Sequence, residues 1–133
     1  MPKTKHSEES EKSLERYLTE RAKACGCRSL KYYNPVSTGW PDRIVLFGGG
    51  LVVWVELKSK GERPKPLQSH RHACLRELGH RVYTCDTKAK IDRMLIIETN
   101  RAGKLRSLMW RSSTEPRHEE PGTRKRKGAA DEV

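Results

Sequence analysis

Asp42, Glu56 and Lys58 stand at the ends of apolar runs, in Pro41-Asp42-Arg43 and Val55-Glu56-Leu57-Lys58. In a β-strand, residues two apart share a face, so Glu56, Lys58 and Trp54 point the same way. Asp42 shares a face with Ile44 and Leu46. Between the two runs lies Gly48-Gly49-Gly50. If this triplet is a three-residue hairpin loop, Phe47 pairs with Leu51 and Asp42 falls opposite Glu56, about 4.5–5.5 Å away. A two-residue loop would set Asp42 against Val55 and separate the carboxylates. Two adjacent carboxylates repel, and they are costly to bury without a cation between them. Hard oxygen ligands suit Mg²⁺ or Mn²⁺, and Mg²⁺ commonly takes one or two carboxylates while keeping several waters. Such an ion acidifies a bound water and offsets charge on a phosphoryl group. A neighbouring lysine can orient or deprotonate that water, or stabilise the pentacovalent phosphate. Together these are the groups that phosphodiester hydrolysis requires. Taken singly each is bland: Asp42 suits a turn or cap, and Glu56 and Lys58 suit a solvated strand end.

The elements that must position these residues are legible in outline. Leu14, Leu18 and Ala22, with Tyr17, mark a helix from Ser7 to about Cys25, with Glu8 and Glu9 in its first turn and Gly26 as its stop. Leu30–Tyr33 reads as a short strand, and Asn34–Gly39 as a loop. Arg43–Phe47 and Leu51–Leu57 read as strands, the second apolar enough to be covered on both faces. Residues 59–66 form a basic loop. Leu67 to Leu78 is a second helix with Leu67, Cys74, Leu75 and Leu78 inward. Arg81–Cys85 is a strand, and Lys88–Glu98 a third helix with Ile91, Met94 and Leu95 as its stripe. Beyond Asn100 the periodicity fades, and Leu105, Leu108, Met109 and Trp110 are expected to dock on the body. The order α-β-β-β-α-β-α predicts an α/β fold, a mixed β-sheet flanked by helices. The expected organisation is a disordered lead at 1–7, one domain at 8–110 and a disordered tail at 111–133, whose basic run Arg124–Lys127 reads as solvated.

The 133 residues carry a formal net charge of +11. Of the charged residues, 22 Lys/Arg and 12 Asp/Glu lie within 1–110, so the basicity belongs to the body rather than the tail. A basic body attracts polyanions, of which nucleic acid is the commonest inside cells. No stretch approaches the roughly 18 apolar residues of a membrane span. MPKTKHSEES has no apolar segment after its basic residues, so no secretory signal is expected and the cytoplasm is the expected location. Cys25, Cys27, Cys74 and Cys85 are expected to be reduced thiols. Cys25-Gly26-Cys27 is one residue too tight for the usual structural zinc pair.

Pro41-Asp42 followed by Glu56-Leu57-Lys58 resembles the PD-(D/E)XK nuclease motif. Glu11-Lys12-Ser13-Leu14, Gly39-x-Pro41-Asp42-Arg43, Val55-Glu56-Leu57-Lys58 and Pro66-Leu67-Gln68, with Leu75 and Gly79, are together similar to the VRR-NUC family over roughly residues 8–97. The resemblance implies a restriction-endonuclease-like core with Asp42 and Glu56 as Mg²⁺ (or Mn²⁺) ligands and the main-chain carbonyl of Leu57 as a candidate third. It implies Lys58 as the catalytic lysine, Gln68 beside the site, and Glu11 approaching directly or through a metal-bound water, with Glu15 as its rival. Four residues after Gln68, where related nucleases often carry an aromatic, this chain has His72. DNA contacts are expected from Arg43, Lys60, Arg63, Lys65, Arg71 and His72, with His70 and His72 facing DNA or solvent. Short stand-alone members of the family resemble homodimeric enzymes of DNA repair that act on branched DNA, including four-way junctions. The implied activity is that of a structure-selective DNA endonuclease like a Holliday-junction resolvase in a bacterial or phage-infected cell. The alternatives are a flap, nicking or restriction-like endonuclease and an inactive nucleic-acid-binding module.

Overall fold

A computed structural model describes residues 10–114. The expected N-terminal lead and the start at Ser7 lie outside these residues, as does the tail from 115 onward. The first helix, α1 (Glu11–Ala24), is capped by Ser10, whose hydroxyl accepts from the Ser13 N–H at 3.1 Å. It buries Leu14, Leu18 and Ala22, the stripe expected from their spacing. Then come β1 (Arg28–Lys31), β2 (Arg43–Leu46), β3 (Val52–Leu57), α2 (Pro66–Glu77), β4 (Arg81–Cys85) and α3 (Lys88–Thr114).

Among the described residues the four strands form one sheet in the order β1-β2-β3-β4. β1 to β3 run antiparallel, and β4 joins β3 in parallel after the α2 crossover. α1 and α3 cover one face, where Val45, Val53, Val55, Leu57 and Cys85 meet Leu14, Leu18, Ala22, Ile91, Met94, Leu95 and Ala102. Tyr17 ties these two helices by donating its hydroxyl to Asp92 Oδ1 at 2.7 Å. α2 lies on the opposite face and buries His72 and Leu75. Leu67 and Leu78, expected inward, are exposed, because the face of α2 that meets the sheet is set by His72 and Leu75 instead.

The third helix does not stop at Glu98. It continues to Thr114, because its buried stripe runs Ile91, Met94, Leu95, Glu98, Ala102 with a charged residue in the middle. Glu98 is fully buried; its Oε1 accepts from the Tyr83 hydroxyl and from Arg81 Nε, and Arg101 approaches Oε2 at 3.3 Å. The far half of α3 packs on the β2–β3 turn. Gly49, at φ 71°, lies where a Cβ would come within 2.9 Å of Leu105 Cβ and 3.2 Å of the Ala102 carbonyl, so the turn and the helix fit through glycine. Leu105 is half-buried there, whereas Leu108, Met109 and Trp110, expected to dock, are largely exposed.

Candidate active site

The turn decides where the carboxylates go. β2 and β3 pair Leu46 with Val52, Val45 with Val53, Ile44 with Trp54 and Arg43 with Val55. The Phe47 N–H donates to the Leu51 carbonyl at 2.9 Å, closing a three-residue loop. One step beyond Arg43–Val55, this register sets Asp42 across from Glu56. On its other flank the Asp42 carbonyl accepts from the Tyr32 N–H at 2.8 Å, so Asp42 sits between two strands. Asp42 Oδ1 also accepts from the Leu57 N–H at 3.3 Å, which holds its carboxylate beside the backbone of β3.

Glu56 is only 4% exposed. Its Oε1 accepts from Gln68 Nε2 at 3.1 Å and lies 3.5 Å from Lys58 Nζ, while its Oε2 is buried without a hydrogen-bond partner. Gln68 reaches it from the first turn of α2, where its Oε1 accepts from the Lys65 N–H at 2.9 Å. Lys58 is 8% exposed. Burial, reinforced by the neighbouring Asp42, pushes the Glu56 carboxyl up to about 7 against the pull of Lys58. Burial also raises Asp42, with the Leu57 N–H and Arg43 opposing it and the Glu11 charge adding to the rise. Two buried carboxylates thus resist ionisation side by side, and one oxygen has no hydrogen-bond partner in the protein. A divalent cation between them satisfies both conditions, so the donor set fits a hard metal ion. Among the described residues no three His, Cys, Asp or Glu side chains converge into a ready-made cage. A two-carboxylate seat is what Mg²⁺, with its retained waters, commonly uses.

No protein-family profile matches the chain. Over 78 residues it is 37% identical to "Putative nuclease p44" of Acyrthosiphon pisum secondary endosymbiont phage 1, a match spanning 59% of this chain and 84% of that protein. A solved structure described as a VRR-NUC domain superposes with a TM-score of 0.60 at 25% identity, over 65% of this chain and 95% of that one. The chain belongs to the VRR-NUC family of nucleases. The resemblance drawn from its motifs and the expected α/β fold both hold.

Within this VRR-NUC domain, Asp42, Glu56, Lys58 and Gln68 come together as the motif spacing implied. Glu11 lies exposed at the first turn of α1, within electrostatic reach of Asp42. Its rival Glu15 is committed elsewhere: it pairs with Arg43 and lies 3.9 Å from Lys31 Nζ. That pairing corrects the expectation for Arg43. Alternation along β2 sends it to the α1 face, away from Asp42, where it is buried against Glu15 rather than offered to DNA. His72 is corrected likewise. At 3% exposure it faces neither solvent nor DNA but packs under α2, its Nε2 buried without a hydrogen-bond partner. Burial, with Arg76 and Lys58 nearby, lowers its pKa and favours the neutral ring.

Lys60, Arg63 and Lys65 are exposed on the loop leading to α2, and Asp86 Oδ2 pins that loop by accepting from the Gly61 N–H at 3.1 Å. Arg71 is half-buried: its guanidinium lies 4.8 Å from the Trp40 ring centroid and its Nε donates to the Thr38 carbonyl at 3.0 Å. Gly39 belongs to the motif, but no role was expected of Trp40 or of the loop residues before Gly39. Their signal was present in the aromatic next to Pro41-Asp42, but its partner lies 31 residues away on another element.

Proposed function

We propose that this nuclease is a Mg²⁺- or Mn²⁺-dependent, structure-selective DNA endonuclease that acts as a homodimer on branched DNA such as four-way junctions. The observation that carries the metal-dependent part is the unpartnered oxygen of buried Glu56 beside Asp42 and Lys58. Asp42 and Glu56 would hold the ion, with the Leu57 carbonyl and Glu11 as further candidate donors. When bound, the ion acidifies a water and offsets charge on the scissile phosphate. Lys58, held at 3.5 Å from Glu56, orients the attacking water and stabilises the phosphorane-like charge. Gln68 fixes the Glu56 carboxylate so that one oxygen remains for the ion. Exposed Lys60, Arg63 and Lys65 supply phosphate contacts, which position a duplex without reading its sequence. The basic body and the absence of a base-reading motif support recognition by shape. A single site cuts one strand, and symmetric cutting of a junction needs two sites related by a two-fold axis, which supports the dimer.

The test is cleavage of a labelled four-way junction beside the matching linear duplex, in Mg²⁺, Mn²⁺ or EDTA. Wild type is expected to make paired, metal-dependent cuts in the junction. Asp42→Ala and Lys58→Ala are expected to lose at least about 10²-fold in rate, the scale of a general acid–base group, while still binding the junction. Equal cutting of both substrates would retire the junction preference. Preference for flaps or nicks would replace the four-way junction with those substrates. Full activity in EDTA would retire the metal.

A further inference from the structure

The segment between β1 and β2 enters the active site directly, since Tyr32 pairs with Asp42 and Trp40-Pro41 precede it. It carries two apolar side chains held in water: Tyr33 is 79% exposed and Val36 is 95% exposed. The segment is nevertheless fastened at every turn. Asn34 Oδ1 accepts from the N–H groups of Val36 at 3.2 Å and Ser37 at 2.9 Å. Trp40 Nε1 donates to Ser37 Oγ at 2.9 Å. Arg71 clamps the far end, stacked on Trp40 and bonded to the Thr38 carbonyl. Gly39, at φ 89°, lets the backbone come so close to Leu67 that a Cβ would lie 2.7 Å from Leu67 Cγ. Apolar groups on a slack loop could fold back; these are exposed on a fastened segment whose chain leads from the Tyr32–Asp42 backbone pair to Asp42 itself.

The geometry points to this segment as a wedge whose Tyr33 and Val36 engage an unstacked DNA base beside the scissile phosphate, so that a break in regular stacking is what seats the substrate. This rests on the nuclease reading above and adds the residues that select the DNA structure. An intact duplex hides its base faces, whereas a branch point exposes them. Exposed aromatic rings stack on any base without regard to sequence, and apolar side chains fill the gap where a stack is opened. The cationic surroundings favour a polyanion over an apolar protein surface as the occupant: Arg71 holds the same segment at Trp40 and Thr38, and Lys60, Arg63 and Lys65 are exposed on the loop that leads into the helix carrying Arg71.

The test uses the full chain with Tyr33→Ala and Val36→Ala combined. Both side chains are exposed, so the melting temperature should stay at the wild-type value. Cleavage of branched DNA should fall about ten-fold, the scale of one base–aromatic stack, while any cutting of linear duplex is unchanged. Tyr33→Phe in place of Tyr33→Ala should restore most of the rate, because the ring and not the hydroxyl acts. In parallel, 2-aminopurine at the branch point, bright while unstacked, should dim when Lys58→Ala protein binds and stacks it on the Tyr33 ring, and the dimming should vanish when the two wedge substitutions are added. Wild-type cutting by the double variant, or lost cutting with the 2-aminopurine signal intact, would overturn the wedge. If the wild type cuts no DNA, the nuclease reading fails by itself, and the 2-aminopurine signal still decides whether the segment meets a base.

Discussion

Gln68 donates its side-chain amide to the same Glu56 oxygen that Lys58 approaches, at 3.1 Å and 3.5 Å respectively. One oxygen of Glu56 is therefore committed to the protein and the other is left over. Gln68→Ala should free the carboxylate to rotate. Outer-shell partners of this kind commonly cost about 10–100-fold in activity or metal affinity when removed. A metal titration of cleavage should show the half-saturating Mg²⁺ concentration rising in the variant. An unchanged titration with normal rate would show that Glu56 is oriented by Lys58 alone.

Glu11 and Glu15 are one helical turn apart and should respond in opposite ways. Glu15→Ala leaves Arg43 buried without its partner, which should cost about 3 kcal/mol, at the low end for a broken buried pair because Glu15 is partly exposed. Urea denaturation reads this directly. Glu11→Ala removes an exposed side chain whose charge bears on Asp42, so stability should hold while cleavage or its metal dependence weakens. A stability loss confined to Glu11→Ala would reverse the two assignments.

The site's carboxyls give stability a pH dependence that metal should cancel. In the folded protein Glu56 holds its proton up to about 7, against an ordinary value of 4.5, and Asp42 is raised in the same direction. Folding is then favoured below about pH 4.5 by these groups, and that contribution is lost as pH rises through 7. On the proposed metal role, Mg²⁺ would bind the ionised pair and should raise the melting temperature more at pH 8 than at pH 5. Asp42→Asn should be more heat-stable than wild type at pH 8 without metal and should gain little from it. An equal Mg²⁺ shift in wild type and variant would place the ion elsewhere.

Gly39→Ala should destabilise the fold by about 1–2 kcal/mol, the usual cost of a side chain in left-handed backbone, with a further loss from the contact with Leu67. Adding Leu67→Ala should return only the steric part. Thermal melts of the single and double variants separate the two contributions. Full recovery in the double variant would mean that the backbone conformation is free to change.

Much of this was legible because it depends on short-range rules. The glycine triplet and the strand alternation narrowed the register to two choices, of which the three-residue loop brings Asp42 opposite Glu56, and the motif resemblance placed Gln68 beside the site at the start of the second helix. The failures share a cause: each depended on a partner distant in the chain. Arg43 looked available until Glu15, 28 residues earlier, proved to hold it, although alternation already sent it to the face opposite Asp42. His72 looked exposed because its cover is the sheet beneath α2. The third helix seemed to end at Glu98 because a carboxylate breaks an apolar stripe unless Tyr83, Arg81 and Arg101 are there to receive it.

The fit of α3 onto Gly48–Gly50 has a consequence for how this hairpin can change over time. Surface turns ordinarily absorb inserted or deleted residues at little cost. Here the turn works as a counter: as long as α3 holds the loop at three residues, gaining or losing one shifts the pairing by a step, sets Asp42 against Val55 or Leu57, and dismantles the carboxylate pair without touching either carboxylate. The helix that leans on the glycines fixes the count from outside. Its length past Ala102, far from the reacting atoms, is in that sense part of the ruler that measures the distance between them.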